Sequence, residues 1–278
     1  MSQTSHLRVA SLQPSVTVTL RDLGLLDHLV ACTKYCLDVC PELRHSNCHI
    51  VQDSWSAKSD EISAAKPDIV IASVPYRLES VAEIMKCGVR FLGLAPKSLS
   101  DIYSDIELIA RVMDVPERGS IVVQKMQQEI AAVREQNSGR EPPLVYCEEW
   151  GKPLILSQPW VAELVEAAGG RFFGDPGKQT TEQKVVLANP DVIIAAWCGA
   201  GDRVPLEKIV AQRKWDQTKA ALNGRVYCIN DELLNTPAST LIQGMHALAA
   251  AIWPDEHQSV QGLRRIGTPG PRAADFWC

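Results

Sequence analysis

The stretch Ala64–Ser73, AAKPDIVIAS, returns as Leu187–Ala196, LANPDVIIAA. Pro67 and Pro190 stand 123 positions apart in a chain of 278 residues, so each copy occupies its own half. Each copy runs from a helix-like lead-in through a Pro-Asp break into β-branched residues that end in small ones. A helix handing over to a buried parallel strand has this pattern, because a strand covered on both faces reads as a continuous apolar run. Two such units predict two similar lobes, and a two-lobed α/β protein does its work in the crevice between them. The expected fold is α/β: two Rossmann-like lobes with parallel sheets joined by one long helix.

That helix is read between Pro116 and Gln136. Val122, Met126, Ile130 and Val133 recur there at spacings of four, four and three, one apolar stripe on an otherwise polar segment. It divides the chain into an N-terminal lobe at 1–115, a connecting helix at 116–139, a C-terminal lobe at 140–256 and a tail at 257–278. A helical connection restricts hinge motion, so the lobes are expected to close only slightly on a ligand. Strands are predicted at Leu7–Leu12, Leu29–Thr33, Asp68–Ser73 and Val89–Leu94, then at Leu144–Cys147, Asp191–Ala196 and Arg225–Ile229. The polar, Cys- and His-rich Tyr35–Ser54 reads as loop, Trp215–Leu222 as helix, and the Gly-, Pro- and Arg-rich tail as loosely held.

A formal charge of −5 argues against a nucleic-acid surface, which needs a basic stripe. No apolar run approaches the ~18 residues that span a bilayer. The opening MSQTSHLRVAS lacks a basic segment followed by an apolar one, so the expected location is cytoplasmic, or periplasmic if the true start lies upstream. Nine cysteines, an odd number at irregular spacing, read as reduced thiols. Cys32, Cys36 and Cys40 are evenly spaced, with Cys48 following. A metal site there is conceivable, although the spacing matches no zinc or iron–sulfur pattern.

Ligands of open parallel sheets bind beyond the carboxyl ends of the strands. Tyr35 follows the second predicted strand, and Tyr76 follows the first repeated one. Trp55 precedes the helix leading into that repeat. Trp150 and Trp197 follow strands of the second half, and Asp231 follows the last. Aromatic residues are only 6% of the chain, yet five gather at one edge. Rings give contact area at low entropic cost, which suits a large, flat, partly apolar ligand; the plainer alternative is that they cap the core. There is no GxSxG elbow, Walker loop or HExxH, and Cys198-Gly-Ala-Gly-Asp202 reads as a turn. Asp60, Glu61 and Glu182 begin helices, where the helix dipole alone favours acids.

The opening RVASLQPSVTVTLRDLGLLDHLVACTKYC resembles the first strand, helix and Thr-x-Tyr-Cys segment of the substrate-binding proteins of ABC importers for vitamin B12 and iron–siderophores. AAKPDIVIAS, GVRFLGL, LVEAAGG, LANPDVIIAA and NGRVYCIND resemble that family's later landmarks, in order, over about residues 7–254. The resemblance implies a non-enzymatic receptor with no cofactor of its own. It implies a corrinoid (cobalamin-like) or iron-chelate ligand and an ABC permease as partner. The family's cleft aromatics correspond to Tyr35 and Trp55, with Trp150 in the second lobe, and its transporter-docking acids to Glu61 (or Asp60) and Glu182. Val18 stands where the family commonly has an acid. Two other readings remain: a cytosolic metal-handling protein or enzyme on the same plan using its cysteines, and a relative that binds no small molecule and serves as an interaction module.

Overall fold

The computed structural model describes residues 6–53, 55–74 and 77–267. Contacts divide these into two units. The first runs to Lys125 and includes Pro237–Ser239; the second takes Met126–Thr236 and the residues from Thr240. One continuous helix, Pro116–Gln136, passes through the division. Val123, Met126, Ile130 and Val133 are its buried stripe.

The first unit holds a five-stranded sheet of β1 (Val9–Ser11), β2 (Leu29–Thr33), β3 (His49–Val51), β4 (Ile69–Ser73) and β5 (Arg90–Leu94), in the order β3-β2-β1-β4-β5. Every pairing is parallel. Alternation along the strands explains their unbroken apolar reading. Val9, Ile69 and Ile71 enter one core with Val16, Leu20 and Ile109 from helices, whereas Ala10, Val70 and Ala72 enter another with Ile62 and Ile84. A sheet covered on both faces has no polar side to show.

The second unit is built on β6 (Leu144–Gly151), β7 (Leu154–Leu156), β8 (Arg171–Phe172), β9 (Val192–Ala195), β10 (Val226–Ile229) and β11 (Leu263–Arg265). β6 pairs in parallel with β8 and β9, and β9 with β10. β7 and β11 are antiparallel additions at the two margins of an otherwise parallel sheet.

The two repeats carry the same local device. Lys66 and Asn189 take left-handed backbone, at φ 50° and 51°, immediately before Pro67 and Pro190. The aspartate after each proline then clasps the foot of the neighbouring strand. Arg8 N–H donates to Asp68 Oδ2 at 2.8 Å while Asp68 N–H donates to Arg8 O at 2.8 Å. Leu144 and Asp191 make the same reciprocal pair at 2.8 Å each way. Pro-Asp therefore sets the register of β4 on β1 and of β9 on β6.

Several expectations need correction. Tyr35–Ser54 is not loop: it contains the helical turns Cys36–Val39 and Pro41–His45 and the edge strand β3. Cys36, Cys40 and Leu43 are buried in or between two turns too short to show a periodicity. Within Trp215–Leu222 only Lys219–Leu222 is α-helical. The tail is held in part, because β11 pairs with β10 and Arg264 donates to the carbonyls of Asp202 and Val204.

Candidate functional site

The carboxyl ends of β1 and β4 in the first sheet are hydroxyl-rich. Ser11, at the end of β1, donates to Gln13 O at 2.9 Å and lies 2.8 Å from the Thr17 hydroxyl. Gln13 Nε2 reaches across to the carbonyls of Ser73 and Val74, tying the ends of β1 and β4 together. Ser73 Oγ is buried without a partner. Beyond β2, Tyr35 is half-buried, with Lys34 Nζ 5.0 Å from its ring centre. Trp55 is 39% exposed. Asp53 Oδ1 accepts its N–H at 3.0 Å, Ser80 donates to its carbonyl at 2.9 Å, and the Arg77 guanidinium lies 5.9 Å from the indole. Its backbone is thus held on both sides while the residue stays partly exposed.

The corresponding edge of the second unit is charged. Glu148, in β6 and 1% exposed, accepts from Tyr146 Oη, from Trp197 Nε1 at 2.8 Å and from Arg213 Nη1 at 2.9 Å on both oxygens. Arg213 Nη2 also donates to Gly151 O at 2.9 Å, and its guanidinium lies 4.8 Å from the Trp215 ring centre. Burial, then the Glu148 charge, pushes the Tyr146 phenol up and keeps it a donor. Trp197 packs against Gly151, where a Cβ would come within 2.2 Å of its ring. This close approach makes glycine a requirement.

Trp150 is 45% exposed; its Nε1 donates to Lys152 O at 2.9 Å. Next to it, burial raises the Glu149 carboxyl to about 7, against a hydrogen bond from Gln158 Nε2 at 2.5 Å. Asp231 accepts the N–H groups of Gly199 and Gly201, at 2.7 and 2.8 Å. The Cys198–Asp202 turn, its glycines at φ 77° and 59°, is folded around the protein's own carboxylate, as a phosphate loop is around phosphate.

The chain matches the periplasmic binding protein family over residues 9–233. It belongs to that family. An uncharacterised ABC transporter substrate-binding lipoprotein of Bacillus subtilis is 24% identical to this binding protein over 263 residues, 89% of this chain and 80% of its own. A vitamin B12-binding protein of Vibrio cholerae is 27% identical over 244 residues, 83% of each chain. A periplasmic heme binding protein from Pseudomonas aeruginosa shares the fold with a TM-score of 0.82 at 19% identity, covering 95% of this chain and 99% of its own. The family is one of solute receptors for ABC transporters, which favours binding over the enzyme reading.

Family membership also corrects the cytoplasmic expectation. Relatives of this binding protein are named as periplasmic or lipoprotein receptors, which supports an extracytoplasmic place. The earlier reading rested on the first residues of the sequence alone. Among the described residues no helix is long and apolar enough to cross a membrane.

Of the residues picked from sequence, Tyr35 and Trp55 lie at the edge of the first sheet, and Trp150, Trp197 and Asp231 at the edge of the second. Tyr76 lies outside the described residues. Trp197 and Asp231 are already engaged by Glu148 and by the glycine turn. Sequence reasoning missed the Glu148–Arg213 pair, Glu149 and Asn235, whose Nδ2 donates to Ala196 O at 2.8 Å. Glu182 is exposed at the first position of helix Glu182–Ala188, and Asp60 is exposed in helix Ser59–Ala64. Glu61 is half-buried, with Oε2 enclosed and unpartnered. Burial pushes the Cys40 and Cys147 thiols up to about 12, which suits small apolar residues better than nucleophiles. Among the described residues Cys32, Cys36, Cys40 and Cys48 do not bring three sulfurs within 4.8 Å of one another.

Proposed function

We propose that this binding protein captures a corrinoid of the vitamin B12 type, or a metal chelate of similar flat shape, and delivers it to an ABC permease without chemistry of its own. The reading is supported above all by the partly exposed indoles of Trp55 and Trp150, one at the carboxyl edge of each sheet. Each is anchored by hydrogen bonds and stays more than a third exposed. A ring kept in water beside an otherwise packed edge is suited to a flat partner, which covers it at little cost in side-chain entropy. The vitamin B12-binding relatives add weight to the choice of corrinoid. Tyr35 and Tyr76 would add contact area, Trp197 a partly covered wall, and Asp231 would fix the turn that presents Cys198. Asp60 or Glu61 and Glu182 would meet the permease, since their surroundings need no acid for folding beyond the helix dipole.

Titration with cobalamin, haem and a ferric siderophore, followed by Trp fluorescence, tests the ligand. Trp55→Ala and Trp150→Ala should each weaken binding about thirtyfold, as central aromatic contacts do. A double variant that binds like the wild type removes the site assignment. Tighter binding of haem than of cobalamin replaces the corrinoid. Glu182→Lys should reduce delivery to the permease while leaving ligand affinity unchanged.

A further inference from the structure

The first sheet has a second edge, at the amino ends of its strands, that ligand capture leaves unused. Three neighbouring strands there begin with a histidine: His6 shortly before β1, His28 immediately before β2 and His49 at the start of β3. His6 and His49 line a cavity of about 750 Å³ together with Asp27, Cys48 and Arg8, and His28 packs behind His6. The imidazoles of His6 and His28 stack with centres 3.6 Å apart and planes 23° from parallel. Asp27 stands beside them, its Oδ2 3.6 Å from His6 Nε2. One donor atom from each of His6, Asp27 and His28 lies within 4.8 Å of the other two.

Hydrogen bonding orients both rings, and His6 Nε2 lies 3.2 Å from Asp27 O, which leaves its Nδ1 to face a cation. His28 Nδ1 lies 2.9 Å from Leu7 O. A carbonyl can only accept, so Nδ1 carries the proton and Nε2 keeps its lone pair. This is how metal-ligating histidines are oriented from behind. A carboxylate supplies charge and two imidazoles supply borderline-soft nitrogen, a donor set that suits divalent transition metals. A tetrahedral site with bonds of about 2.0–2.1 Å keeps its donors roughly 3.3 Å apart, so side-chain shifts of about an ångström close it. His6 and Asp27 have side chains 53% and 71% exposed and are free to make that shift. We propose that His6, Asp27 and His28 form a binding site for a divalent transition metal such as nickel or zinc, on the sheet edge opposite the one that meets the ligand.

Calorimetric titration of the untagged, full-length protein with Ni²⁺ tests the site. One equivalent should bind, and His6→Gln and His28→Gln should each lower the affinity at least tenfold. Asp27→Asn should do so as well. Cobalamin affinity should be unchanged in all three, because they lie at the other edge. The substitutions are on exposed or half-exposed side chains, and matching circular dichroism spectra confirm that the variants fold. Wild-type Ni²⁺ affinity in both histidine variants overturns the proposal and sends any bound metal to the thiols. Absence of binding to the wild type up to millimolar Ni²⁺ overturns it outright.

Discussion

The two units repeat one connection and part company at its far end. Asp68 and Asp191 make the same paired hydrogen bonds to the strand beside them, within 2.8 Å in every case. At the carboxyl ends of those same strands, the first unit offers Ser11, Gln13 and Ser73, whereas the second buries Glu148 against Arg213. Register is therefore fixed by a motif common to both halves, and the chemistry of each edge is set by residues the motif does not include. A repeat can keep the scaffold twice while each copy acquires its own face.

The largest test of that contrast is the buried ion pair. Arg213→Met leaves Glu148 enclosed with only the Tyr146 and Trp197 donors, and should cost about 3–5 kcal/mol, the usual consequence of stranding a buried charge. Urea unfolding measures it. At the end of β1 Ser11→Ala removes a hydroxyl bonded to Gln13 O and Thr17, and should cost about 0.5–1.5 kcal/mol. If the two losses are equal, the edges do not differ as the geometry indicates. Asp68→Asn and Asp191→Asn fall between. Each weakens a charged acceptor of a backbone N–H, for about 1.5–3 kcal/mol, and the two should agree within about 0.5 kcal/mol. A marked inequality would break the equivalence of the repeats.

These same residues explain what could be read from sequence. The Pro-Asp break and the β-branched run are local, so both repeated strands and the joining helix were legible. Tyr35, Trp150 and Trp197 could be placed at strand ends because these follow directly from strand assignments, whereas Tyr76 lies outside the described residues. Glu148 and Arg213 were not, since 65 positions separate them and neither belongs to a pattern. The tail strand β11 was hidden for a related reason: Leu263–Arg265 has two arginines, and it is a strand only because β10 offers an open edge. The Cys- and His-rich segment concealed β3 because an exposed edge strand needs little apolar character.

The finest distinction between the edges is titratable. Glu149 sits beside Trp150 with its carboxyl raised to about 7 by burial. A raised carboxyl holds its proton in the folded state after the unfolded chain has released it. Its contribution to stability is therefore complete below about 4.5, and it is lost as pH rises toward about 7. Glu149→Gln keeps the Gln158 contact and removes the proton. Carboxylates held low elsewhere, such as Glu83 and Asp53, give a slope of opposite sign in both proteins and cancel in the difference. Wild-type stability minus that of the variant, followed by urea unfolding from pH 4 to pH 8, should thus fall between about pH 4.5 and 7 and stay flat on either side. A flat difference throughout would mean that Glu149 is hydrated in solution, and that the second edge owes its character to the Glu148–Arg213 pair alone.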